Sequence, residues 1–272
     1  MPAFRPPSDP VKNLRIQCWL APLLSTLLLG AGGCATRGPN HVYLARASAE
    51  TVEDLGPGGH DLAHAVHDGE SATGLAYDFN TDHLFLRIAP AQVIRVIERP
   101  SGKVLREMPL DGELRTPAGR DGRFPPADLA IRSSDRHLFA VDAGGRSVVE
   151  LTLYGVFVQR TTLSGLDGPV DGLAYDQRNQ RLLVLTGRDG HARVGRVGSG
   201  GDVTYYVTLA APVAAASLGY DSDRRHCFVP LADGTTLGEF DESGALVRSI
   251  PGAPGAAITA IDAGPRSFVR VF

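Results

Sequence analysis

The chain has 272 residues, 43% of them hydrophobic and 21% charged, which is apolar enough for a sizeable core and excludes a disordered chain. Formal net charge is -3, and the 24 basic and 29 acidic residues that follow position 34 leave that part at -5, which disfavours nucleic acid or an anionic lipid surface as an electrostatic partner. Three cysteines, Cys18, Cys34 and Cys227, are too few for a disulfide framework, and Cys227 in an apparent strand reads as a buried structural thiol.

Residues 1–34 come first. Arg5, Lys12 and Arg15 precede an uncharged, leucine-rich stretch over 18–33, a positive n-region followed by an h-region too short for a comfortable membrane span. Ala31, Gly32 and Gly33 then lead into Cys34, and this resembles the lipobox of bacterial lipoprotein signal peptides, with Ala31 where that pattern carries leucine. The resemblance implies that Cys34 is the lipidated first residue of the mature protein, and Ala35 after it implies sorting to the outer membrane, facing the periplasm. An ordinary cleaved signal peptide or an uncleaved N-terminal anchor is the alternative. Residues 35–40 form a tether of at most ~20 Å, followed by a single domain over 41–272.

That domain is repetitive. An apolar run closing on Asp or its equivalent recurs at 73–78, 127–132, 171–176, 216–221 and 257–262, at intervals in the forties and fifties. Each copy continues into a second apolar run, at 83–86, 137–141, 181–185, 226–229 and 267–269. The first four then carry a hairpin around Gly or Ser. Four strands per repeat with period-2 alternation is the formula of a β-propeller blade. The fifth copy ends at Phe272 after two strands, and the missing hairpin is found at 41–46 and 51–55. An all-β, five-bladed β-propeller closed two strands against two is therefore expected, with six blades as runner-up. The strand-turn-strand text, including Ser101-Gly102-Lys103-Val104-Leu105 followed by Pro109-Leu110, resembles the NHL, YncE-like and SMP-30-like group of bacterial propellers. In style it is nearest to SdiA-regulated-type propeller lipoproteins.

Candidate sites follow from the repeat. The residues just before the inner strands rim the channel: Thr73, Ala127, Asp171, Ala216 and Ala257, with Asp128 one position on. The SMP-30-like resemblance implies a divalent metal held by acidic and amide ligands on that rim. Two carboxylates, Asp128 and Asp171, with three alanines make a poor cage for a hard cation, and Asp171 reads first as a turn or strand cap. Two connections are long, 56–72 and 111–126, and lie on the same face. The first holds His60, His64 and His67; a helical turn over 61–67 would put them on one side, as zinc needs, and a solvated polar loop is the alternative. The second holds Arg115 and Arg120 among mixed charges, suited to an anionic ligand or a partner protein, or to a plain solvated connection. There is no G-x-S-x-G elbow or H-E-x-x-H motif, and Trp19 in the leader is the only tryptophan.

No cofactor is predicted, with zinc or calcium as the possibilities to test. The expected function is a lipid-anchored envelope propeller that binds a protein, peptide or small ligand through its loop face without catalysis. The alternatives are a metal-dependent hydrolase or lactonase and a purely structural envelope component.

Overall fold

The computed structural model describes residues 37–267 apart from 48, 121–123, 126, 189–190, 215 and 253–254. The leader with Cys34, the loop residues Asp121 and Arg123, and Phe268 and Val269 of the expected last strand lie outside the described residues. No helix among those described is long and apolar enough to cross a membrane.

Strands β1 (Arg37–Arg46) and β2 (Val52–Asp54) open the chain but belong to the last blade. Blade 1 is β3 (Ser71–Asp78), β4 (His83–Ala89), β5 (Val93–Glu98) and β6 (Lys103–Pro109). Blade 2 is β7 (Leu129–Arg132), β8 (His137–Val141), β9 (Ser147–Thr152) and β10 (Phe157–Thr162). Blade 3 is β11 (Gly172–Asp176), β12 (Arg181–Arg188), β13 (His191–Val197) and β14 (Val203–Thr208). Blade 4 is β15 (Gly219–Asp221), β16 (His226–Pro230), β17 (Leu237–Phe240) and β18 (Leu246–Ile250). β19 (Ile258–Ser267) closes the ring. The four internal blades are antiparallel four-stranded sheets, as the repeat predicts.

The closing blade departs from the two-plus-two expectation in detail. Its order is β19-β1-β2, so the N-terminal strand sits next to the innermost strand, in register from Asn40↔Pro265 to Ala45↔Ala260. Leu62 then bridges Val52 through two backbone hydrogen bonds of 2.8 and 3.1 Å and takes the outermost place. One C-terminal strand and the N-terminal segments thus make the last blade. β19 continues to Ser267, where the repeat had suggested a new strand beginning, and β1 starts at Arg37, inside the expected tether. The physical gain is a long β1–β19 ladder that pairs the two terminal strands with each other, β19 keeping its free side toward the channel as the other inner strands do.

Local chemistry accounts for the blades. In three of the inner hairpins the strand-ending aspartate caps the turn: Asp78 accepts from Asn80 N, Asp176 from Arg178 N and Asn179 N, and Asp221 from Asp223 N and Arg224 N, at 2.9–3.1 Å. The residue four places after the strand end takes a left-handed φ in every such turn: Asp82 (59°), Arg136 (62°), Gln180 (52°) and Arg225 (62°). Asp262 is the exception. Its strand runs on, and its carboxylate instead accepts Tyr77 N of blade 1 at 2.7 Å.

Both faces of each blade are buried, so the apolar runs are nearly continuous. Leu84 and Leu86 pack toward the closing blade while Phe85 between them packs toward blade 2. Five apolar clusters result, one between each pair of neighbouring blades. Cys227 belongs to the cluster between blades 3 and 4, where burial pushes its thiol up to about 12. Inner strands approach closely. A Cβ on Gly74 would lie 2.5 Å from Ala127 O, and one on Gly172 2.7 Å from Leu218 N, so glycine is needed at both.

Candidate functional site: the channel and its loop-face funnel

The inner strands run side by side, which places Thr73, Ala127, Asp171, Ala216 and Ala257 toward one face. Thr73, Ala216 and Ala257 line a funnel of about 580 Å³ there, with Ser71, Thr259, the turn at Ala89-Pro90, and Phe124 from the second long loop. Among the described residues that line it, none is ionisable. The opposite mouth is a much smaller cavity, about 30 Å³, bordered by Tyr77, Tyr175, Gln177, Ser222, Asp262 and Pro265.

Asp128 lies beneath the funnel, 1% exposed. One carboxylate oxygen accepts Leu129 N at 3.0 Å. The other accepts Leu173 N at 2.9 Å, Leu218 N at 3.0 Å and the Ser217 hydroxyl at 2.9 Å. Ser217 Oγ in turn accepts Ile261 N at 2.8 Å. One side chain therefore ties blades 2, 3 and 4, and through Ser217 the closing blade. Burial pushes its carboxyl up to about 7 against the opposing pull of these donors. Asp262, half-buried, is pushed up to about 8 by desolvation, with the charge of Asp128 adding to it.

Asp171 does not line the funnel. It is half-buried and turns its carboxylate to Gly187 N at 2.9 Å, the strand-cap role expected of it, and burial pushes it up to about 6. Thr73 is buried, its hydroxyl donating to Arg87 O at 3.4 Å. Asp128, Asp171 and Thr73 are thus neighbours in the repeat but not one constellation.

The long loops are held by buried arginines, which the alternation of the strands hid. Arg87 on β4, 2% exposed, donates to Ala127 O (3.2 Å), Val141 O (2.7 Å), Leu114 O and the Thr116 hydroxyl (2.9 Å), fastening loop 111–126. Burial pushes its guanidinium down to about 10. Gln92 clasps the backbone of Thr116 at 2.8 and 3.0 Å. Arg95 on β5 fastens the other long loop through Glu70 (2.7 and 3.1 Å) and Ala65 O (3.2 Å). Arg115 and Arg120 are exposed on the fastened loop.

The helical turn expected over 61–67 does not form. Leu62 is drawn into its bridge with Val52, His64 adopts φ 60°, and Leu62, Ala65 and Val66 enter the core between the closing blade and blade 1. His60, His64 and His67 are left exposed. His64 pairs with Glu50 at 3.1 Å, and the backbone N–H of His67 donates to Glu70. Among the described residues the converging set of possible ligand atoms is a different one, Asp135, His137 and Glu150. The Arg132 guanidinium already bonds both carboxylates, Asp135 and Glu150, at 2.5–2.8 Å, and so supplies the positive charge that a cation would otherwise bring to such a set.

His137 and Glu150 belong to a pattern readable in the sequence: a histidine on the second strand of a blade and an acid thirteen residues on. It recurs as His41–Asp54 (2.5 Å), His137–Glu150 (2.5 Å) and His226–Glu239 (2.7 Å). Away from the funnel, the β9–β10 turn exposes Tyr154, Val156 and Phe157, with Arg106 stacked 4.9 Å from the Tyr154 ring.

The arrangement defines a five-bladed β-propeller with an open funnel on the face of its two long loops. No protein-family model and no curated protein sequence matches the chain. Among solved structures, a chain of a nidogen–laminin complex matches with a TM-score of 0.56 at 12% identity, over 82% of this chain and 98% of that one. A Bacteroides caccae protein of unknown function aligns at 12% identity (TM-score 0.44; 79% of this chain, 73% of that one). Kuenenia stuttgartiensis hydrazine synthase aligns at 11% identity (TM-score 0.43; 66% and 49%). The first of these supports the propeller fold and nothing finer.

Proposed function

We propose that the protein is a lipid-anchored propeller of the bacterial envelope, at the outer membrane facing the periplasm, that works without catalysis as a binding module through its loop face. The observation that carries this reading is the funnel of about 580 Å³, a volume suited to a small ligand or a peptide end, walled by small and apolar side chains on a rigid frame. The two carboxylates beside the inner strands at that end are engaged elsewhere: Asp128 by four donors, Asp171 by Gly187. The fold-level neighbour in a nidogen–laminin complex is an analogy for protein binding by such a scaffold. Anchoring rests on the leader and Cys34.

Hydrogen exchange of the full chain, with and without envelope extract, tests the binding reading. Protection is expected at 67–73, 89–92 and 255–259. Protection confined to the opposite mouth, or robust lactone or phosphoester turnover lost in Asp171→Ala, overturns it. Anchoring predicts that Cys34→Ser moves the protein from the membrane to the soluble periplasmic fraction; an unchanged distribution counts against it.

A further inference from the structure

The funnel's own chemistry narrows what it holds. A charged group costs free energy to the extent that binding strips its water, unless an opposite charge meets it. The described lining offers no such charge: Ser71, Thr73 and Thr259 are its polar side chains, set among alanine, glycine, Pro90, Ile258 and Phe124. Two of those hydroxyls already donate their protons to backbone carbonyls, Thr73 to Arg87 O at 3.4 Å and Thr259 to Ala45 O at 3.3 Å. A hydroxyl whose proton is held in this way keeps its oxygen lone pairs for an occupant's donor.

A second depression of about 210 Å³ shares Gly69 and Ser71 with the funnel and is acidic, with Glu50, Asp68 and Glu70. Glu70 is committed to Arg95, while Glu50, paired with His64, and Asp68 are exposed, where water screens their charge from the funnel wall.

Resting on the loop-face reading above, we infer that the funnel takes an uncharged ligand with an apolar body and O–H or N–H donors, the donors meeting Thr73 and Thr259. Three probes with one body separate the charge states: N-acetylphenylalaninamide is neutral, phenylalaninamide cationic and N-acetylphenylalanine anionic. Titrated against the full chain by ligand-observed NMR, the neutral probe is expected to bind about tenfold or more tightly than either charged relative, the scale of one unmet charge or hydrogen bond. Ala216→Trp should abolish that binding by filling the funnel. The near-isosteric Thr73→Val, which keeps the wall, should weaken it about three- to tenfold while leaving the melting temperature nearly unchanged. Equal or tighter binding of a charged probe, no binding of the neutral one at millimolar concentration, or binding indifferent to both substitutions overturns the inference. If the neutral probe fails while extract still protects 67–73 and 255–259 from exchange, the ligand class falls and the loop-face reading stands.

Discussion

Asp128 accepts the backbone N–H of Leu218 at 3.0 Å across ninety residues of sequence, joining blade 2 to blade 4 through the channel. The same carboxylate satisfies Leu173 N and the Ser217 hydroxyl, so the inner strands share one acceptor. Asp128→Ala leaves those buried donors without it. Each orphan costs about 1–3 kcal/mol, and the sum is expected to be about 3–5 kcal/mol. Asp128→Asn keeps an acceptor oxygen and is expected to cost less. Urea midpoints of the two variants check this; equal, small losses would show that the crossing bonds contribute little.

The same group gives a pH dependence. The unfolded chain titrates Asp near 4, and burial in the fold pushes Asp128 up to about 7. A raised carboxyl binds more protons in the folded state across that interval, so its contribution is complete below about pH 4 and is lost as pH rises through about 7. Asp262, pushed up to about 8 by desolvation, adds in the same direction. The urea midpoint of the wild type is expected to fall between pH 5 and pH 8. Asp128→Asn should flatten that slope, and parallel slopes in the two proteins would contradict the assignment.

The propeller was legible because its signals are local. Apolar runs recur in every blade, a capping Asp ends the inner strand of blades 1, 3 and 4, and in the four internal blades the left-handed position lies four residues past that strand's end. The closing blade was harder to read. Residues 264–265, Gly-Pro, look like a strand end, and only pairing with β1, more than 200 residues distant in sequence, carries β19 through them. The helical turn over 61–67 is absent for a related reason: the spacing of His60, His64 and His67 fits a helix, while the burial of Leu62, Ala65 and Val66 decides the backbone. Arg87 and Arg95 gave no sign of their roles, because charge inside a strand reads as a solvent-facing position, whereas here it anchors the loops that frame the funnel.

The histidine–acid pairs make the opposite acid-side prediction. Glu239 is buried between the His226 ring at 2.7 Å and the Arg248 guanidinium. Burial alone would raise its carboxyl, but the His226 and Arg248 hydrogen bonds outweigh burial and hold it below the usual glutamate range. A depressed carboxyl contributes stability above its unfolded value and loses it as pH falls through the folded one. Glu239→Gln should therefore cost about 1–3 kcal/mol at pH 7 and progressively less below about pH 4. A deficit independent of pH would mean that packing, not charge, is what Glu239 supplies.

Arg87 offers the sharpest test of how the loop face is held. Its guanidinium is the shared donor to three carbonyls and the Thr116 hydroxyl, in a site too buried for water to replace it freely. Arg87→Met preserves much of the apolar stem but orphans those acceptors, for an expected loss of about 3–5 kcal/mol. The loss should also be local. Exchange protection at Leu114, Arg115 and Thr116 should fall more than in the blade cores, and proteases should cut first within 111–126. Arg95→Met serves as the counterpart: it releases Glu70 and Ala65 and should loosen 56–72 instead. If both variants loosened both loops alike, the two arginines would be acting on blade 1 as a whole rather than each fastening its own loop.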